Sequence, residues 1–333
     1  MTAADPVFGV AGLIPPIRDG GEFTVVEALP EWIVVVFAAV THLADPWFLF
    51  ALLAAVYWFG DNRIAPQPRR TGATAIAVVS AGYAAVAAGK AVTAAPRPPA
   101  AAGPVDVPGW LPTLLTGWYE TQLLSDGFAF PSGHAAGAVV AYGVLAALAT
   151  GVATPRRRYV AAALLAGAVA LSRVAIQVHY LVDVVAGVLV GCLVVGLGLW
   201  LAGALRPRAE SDRPSPVPVF ALAALVSLVA AAVAVGGGYG DEVVEAAVGI
   251  GTGVGGLVGW QLVDGDEPPV SVPVAVPGLL VTGGIWSGSY LLADAVVGPT
   301  SGLLVTTVGT SVAVAGVVAM PSLVATGRLQ DVG

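Results

Sequence analysis

Apolar residues in this chain gather into long runs, several of them long enough to cross a bilayer as helices at roughly 20 residues each. Nine such runs fall at about 32–59, 71–93, 132–152, 158–174, 181–204, 217–237, 243–263, 274–296 and 302–325. They predict an all-α fold, a polytopic membrane helical bundle of about nine transmembrane helices. The first run is long, and Asp45-Pro46 predicts a break inside it, because proline cannot continue a hydrogen-bonded helix. The fourth run is short. No internal repeat is visible.

Composition supports the bilayer as solvent. Hydrophobic residues make up 57% of the chain and charged residues 11%, against about 25% charged in a soluble domain. Mean hydropathy is +0.87. Such a chain could not cover a water-facing surface. The net charge of −7 argues against nucleic acid as a partner. Cys192, the single cysteine, has no intramolecular disulfide partner and is expected to be a buried small hydrophobe. The first thirty residues have neither a basic start nor a long apolar run. No cleavable leader is therefore evident, and the first apolar run is expected to act as anchor and signal.

Charge then orients the spans. Nine of the fourteen cations fall in three clusters: Arg63, Arg69 and Arg70; Arg156, Arg157 and Arg158; Arg206, Arg208 and Arg213. Each follows an odd-numbered run, so all lie on one side, which the positive-inside rule makes cytoplasmic. The N-terminus is then outside. Four parts follow: an outward segment 1–30, a membrane core 31–205, a cytoplasmic linker 206–216 and a four-span extension 217–333 of unknown role. The extension carries almost no ionisable residue in its spans, Asp294 excepted. Residues 96–131 form a long outward stretch with Trp110, Trp118 and Tyr119, expected to be a rim or lid. The glycines Gly251, Gly253, Gly255 and Gly256 are expected to be packing contacts.

With the clusters and the terminal Arg18 and Arg328 set aside, three cations remain: Lys90, Arg97 and Arg173. All fall at outward span ends or in outward loops, where a charge in an apolar chain is a functional candidate. Three cations converging there would suit a phosphate dianion. His134 begins the third run within Pro131-Ser132-Gly133-His134, where Ser132 and Gly133 offer N–H groups at a helix start. His179 precedes the fifth run, with Asp183 four residues on, close enough for a carboxylate to fix the imidazole tautomer. Arg173 and His179 are six residues apart, which requires a turn between the fourth and fifth runs if both face one site. His42 belongs to none of these groups and is expected to be structural or interfacial.

Three patterns carry a family resemblance. Lys90, six residues, then Arg97-Pro98; Pro131-Ser132-Gly133-His134; and Ser172-Arg173, five residues, His179, three residues, Asp183 resemble the three motifs of the type 2 phosphatidic acid phosphatase superfamily, in its order. The resemblance covers about residues 40–205. It implies a phosphatase-like core in which His179 attacks phosphorus, Asp183 orients it and His134 protonates the leaving group. Lys90, Arg97, Arg173, Ser132 and Gly133 would bind the phosphoryl oxygens. No metal and no cofactor is expected, because the fixed cations could take a metal's place. The expected substrate is a lipid phosphate monoester or an isoprenoid or lipid pyrophosphate, hydrolysed through a phosphohistidine at the non-cytoplasmic face of the cell membrane. Transfer to an alcohol acceptor, the vanadate-dependent haloperoxidase chemistry of the same superfamily, and a non-catalytic lipid carrier are the alternatives. Oligomeric state is not legible.

Overall fold

The computed structural model describes residues 18–205, 214–263, 265, 268–295 and 299–325. Arg206, Arg208, Arg213 and Arg328 lie outside the described residues, as does the side chain of Asp294. The described residues form α-helices and short 3-10 turns, with no strand. The helices are α1 (Glu22–Glu27), α2 (Glu31–Val40), α3 (Pro46–Phe59), α4 (Pro68–Thr93), α5 (Thr113–Leu123), α6 (Gly133–Leu148), α7 (Pro155–Ala175), α8 (Leu181–Leu201), α9 (Val217–Gly237), α10 (Gly240–Trp260), α11 (Val272–Ala295) and α12 (Pro299–Ala325). The chain is an all-α polytopic integral membrane protein.

Every predicted run corresponds to a helix, but the count of full spans is lower. Among the described residues seven helices are long and apolar enough to cross a membrane, and α2 with α3, bent by 48°, makes an eighth. The remaining run, the third, is α6, with only 16 helical residues. At 1.5 Å per residue it rises about 24 Å, short of the ~30 Å hydrocarbon core. The predicted break falls where expected. A 3-10 turn, Thr41–Ala44, ends α2, and Pro46 occupies the first turn of α3, where its missing N–H costs nothing. The fourth run proves longer than predicted. Thr154 caps α7 by accepting the N–H of Arg157 at 3.4 Å, so Arg156–Arg158 belong to the helix and not to a loop.

Helix α4 is the central post. It packs against α3, α6, α8, α9 and α10, and so joins the core to the C-terminal helices. In that second group the glycines do act as contacts: a Cβ on Gly253 would lie 2.6 Å from Ala224 N, and one on Gly255 would lie 2.4 Å from Ser311 O. Cys192, expected to be buried, is exposed on α8 and faces outward from the bundle.

The basic residues mark one end. The loop with Arg63 meets the loop after α6, where Gly151 N donates to Ile64 O at 2.8 Å. Arg158 Nε donates to Ala146 O at 2.7 Å beside it. Arg69 departs from a surface role: it is buried and donates to Tyr57 O, bracing α3 against α4. Lys90, Arg97, His134 and His179 gather at the opposite end.

Candidate active site

Two left-handed backbone positions set the site's outline. Ala94 (φ 46°) ends α4 and sends the chain outward, so that Arg97 folds back while Lys90 stays in the helix. Gln177 (φ 57°) ends α7 and makes the turn that the six-residue spacing required. Val178 N and His179 N both donate to Arg173 O, at 3.3 and 3.2 Å. His179 thus lies in the turn, two residues before α8, and the expected shared helical face with Asp183 is replaced by turn and first helical turn. Asp183 accepts the N–H of Tyr180 at 3.0 Å, which fixes the start of α8.

The second motif is clamped between two helices that lack side chains where it passes. A Cβ on Gly89 would sit 2.6 Å from Pro131 Cδ, and one on Gly187 would sit 2.5 Å from Ser132 O. Ser132 N donates to Asp183 O at 2.9 Å, tying the second motif to the third. Ser132 occupies the N-cap of α6, but its hydroxyl makes no cap bond. That leaves the free N–H groups of the first turn open to an anion.

Geometry fixes the protonation of His179. Arg97 Nη1 approaches His179 Nε2 at 3.1 Å. A guanidinium only donates, so Nε2 must accept and the ring proton must be on Nδ1. Nδ1 faces Asp183 Oδ2 at 3.7 Å, within ion-pair range but longer than a hydrogen bond. The imidazole is held well below its ordinary value of 6.5, first by burial and then by the charges of Arg97, Arg173, His134 and Lys90. All these motif residues therefore act on one ring. Burial also pushes Arg97 below its ordinary value, while Glu245, Asp183, Asp126 and Glu242 push it back. Arg97 is further held by Asp126 O at 2.8 Å and Val178 O at 3.1 Å. Arg173 donates to Thr41 Oγ1 at 2.6 Å.

Three residues enter that the sequence did not single out. Arg18, set aside as terminal, donates to Asp183 through Nε at 2.9 Å and Nη2 at 3.3 Å. It also reaches Pro96 O at 2.7 Å and lies 4.8 Å from the Tyr180 ring centroid. Glu245 of α10 pairs with Lys90 Nζ at 2.7 Å. The C-terminal spans are thus less free of ionisable residues than expected. Asp45, read only as a helix break, accepts His134 Nε2 at 3.1 Å and His42 Nδ1 at 2.6 Å. Each contact joins residues far apart in sequence or outside any motif, so no local pattern could have exposed it. A cleft of about 550 Å³ opens beside Arg97, lined also by Asp126, Phe128, Tyr239 and Glu242.

Among the described residues no group of three or more His, Cys, Asp or Glu side chains could hold a metal ion. Residues 71–207, which contain all three motifs, match the PAP2 superfamily. The matched segment is similar to the PAP2 superfamily. The match supports phosphoric ester hydrolysis as the general chemistry. Helices α9 to α12 lie outside the PAP2 match. No curated protein and no solved structure matches the chain.

Proposed function

We propose that this protein hydrolyses a lipid phosphate monoester or lipid pyrophosphate through a phosphohistidine on His179. The observation that carries the reading is the 3.1 Å contact of Arg97 Nη1 with His179 Nε2, which assigns the ring proton to Nδ1. Arg97 leaves the Nε2 lone pair of His179 facing the cations, with Asp183 behind Nδ1. A neutral imidazole unprotonated at Nε2 is a nucleophile once Arg97 turns its N–H from that nitrogen to a phosphoryl oxygen.

Nε2 attacks phosphorus, and the charge that grows on the ring is met by Asp183. Lys90, Arg97 and Arg173, with the N–H groups at the start of α6, take the charge developing on the phosphoryl oxygens. Ser132 Oγ and Arg173 Nε are buried and have no hydrogen-bond partner among the described residues. An unsatisfied buried polar atom costs about 1–3 kcal/mol, and a phosphoryl group would satisfy both. His134 donates the proton to the leaving oxygen, then takes one from water in the second step.

A lipid substrate follows from placement. The headgroup site lies at one end of the span bundle, where a tail can remain in the bilayer. The positive-inside rule puts the opposite, arginine-bearing end in the cytoplasm, so the site faces away from it. The cell membrane is the setting this favours. The unit 217–333 is read as a helix extension appended to the core 31–205.

Purified protein assayed for phosphate release against phosphatidic acid, phosphatidylglycerol phosphate and a polyprenyl pyrophosphate tests this. Turnover on at least one lipid, undiminished by EDTA and lost in His179→Ala, is expected. Activity abolished by EDTA and restored by Mg²⁺ would overturn the metal-independent mechanism. A phosphorylated alcohol formed from an added acceptor would make the protein a transferase.

A further inference from the structure

We propose that Asp45, His42 and Trp118 form a positioning relay for His134, which holds one of its nitrogens toward the phosphoryl group and links that alignment to the docking of α5. The inference rests on the phosphatase reading above.

Hydrogen-bond chemistry dictates the relay's direction. Trp118 Nε1 lies 2.8 Å from His42 Nε2. An indole only donates, so His42 Nε2 must accept and His42 Nδ1 must carry the proton. That proton points at Asp45 Oδ2, 2.6 Å away. Trp47 Nε1 donates to the same oxygen at 3.0 Å. Oδ2 is thereby occupied by two donors, and Oδ1 is left for His134 Nε2 at 3.1 Å. A carboxylate there holds the Nε2 proton of His134 and leaves Nδ1 for the leaving group. It also stabilises the imidazolium form that a general acid needs.

Local structure explains the arrangement. His42 and Asp45 are three apart along a 3-10 turn, where side chains at i and i+3 eclipse. Pro46 stops that turn and starts α3, so Asp45 sits at the bend and projects from it. Trp118 arrives from α5, which packs on α2 beside a small cluster of Ala38, Leu111, Tyr119, Ile176 and Val178. Ile176 and Val178 flank the turn that carries His179. The outward segment therefore touches both the nucleophile's turn and, through the relay, the acid.

Protons and electrons balance without leaving these groups. As the phosphorus–oxygen ester bond breaks, Nδ1–H of His134 passes to the leaving oxygen. Asp45 keeps its hydrogen bond to Nε2–H and is not protonated. In the second step neutral Nδ1 takes a proton from water as water oxygen bonds phosphorus. The phosphorus–nitrogen bond breaks and its electron pair returns to His179.

The test compares two leaving groups in the full-length protein. An alkyl phosphate needs the acid; p-nitrophenyl phosphate, whose phenolate leaves unaided, does not. kcat/KM isolates the first transfer. With general acid catalysis contributing about 10²–10⁴, Asp45→Asn should lose roughly 10- to 100-fold on the alkyl ester and under about three-fold on the aryl ester. Trp118→Phe keeps an aromatic ring, though a smaller one, and removes the N–H donor, outside the spans. It should lose about three- to ten-fold, again on the alkyl ester alone. Equal losses on both esters would overturn the relay and leave the phosphatase reading standing. If Asp45→Asn does not fold, the Trp118→Phe ratio decides. Wild-type protein inactive on both esters would remove the phosphatase reading and the relay together.

Discussion

His179 is buried and surrounded by cations, and both conditions disfavour its protonated form. As the proposed nucleophile, His179 must be neutral, so the pH at which protonation silences it falls below 6.5. On p-nitrophenyl phosphate, which needs no general acid, and after the substrate's own ionisation is factored out, kcat/KM should stay level from pH 8 to 6.5 and decline only at lower pH. A decline centred above 6.5 would mean that His179 is not shielded in this way. Arg18 gives a second prediction at the same scale. Its guanidinium grips both oxygens of Asp183, which in turn faces the imidazole. Arg18→Ala should lower kcat about ten-fold, equivalent to ~1.4 kcal/mol, and leave KM nearly unchanged. A change in KM alone would place Arg18 on the substrate and not on the carboxylate.

Helices bring these groups together, and here the C-terminal helices meet the candidate site. Glu245 on α10 neutralises Lys90, a cation assigned to the phosphoryl group. Glu245 is partly exposed, and such pairs contribute about 0.2–1 kcal/mol. Glu245→Gln should therefore tighten KM, or inhibition by inorganic phosphate, by about two- to five-fold, with kcat unchanged. Weaker binding would show that the carboxylate helps to hold substrate. The elements themselves were readable because apolar runs, proline breaks and motif spacing are local signals. Asp45-Pro46 announced its bend, and the distance from Arg173 to His179 demanded its turn. The shortness of α6 was less legible, since apolar residues continue past both helix ends. Arg18, Asp45 and Glu245 were invisible as site residues for another reason. Each meets its partner across 89 to 165 positions, and Glu245 hides inside an apolar run.

At the scale of the molecule, the first two arginine clusters and the candidate site occupy opposite ends of one bundle. That placement makes a topological prediction. Gly109 has open space around it, and Val152 is exposed at the arginine end. In a Cys192→Ser background, Gly109→Cys should react with a membrane-impermeant thiol reagent in intact cells. Val152→Cys should react only after permeabilisation. The reverse pattern would put the site in the cytoplasm. The central post α4 serves both helix groups, so removing α9 to α12 should expose one of its faces and destabilise the core as well.

The most direct test is to trap the intermediate. Phosphorus-labelled p-nitrophenyl phosphate is mixed with the protein and quenched in alkali, which preserves a phosphoimidazole. His134→Ala, slow in the water step, should accumulate label on the protein near one equivalent, and a further His179→Ala change should abolish it. Label that persists without His179, or turnover with no labelled protein at any time, would contradict a phosphohistidine at that residue.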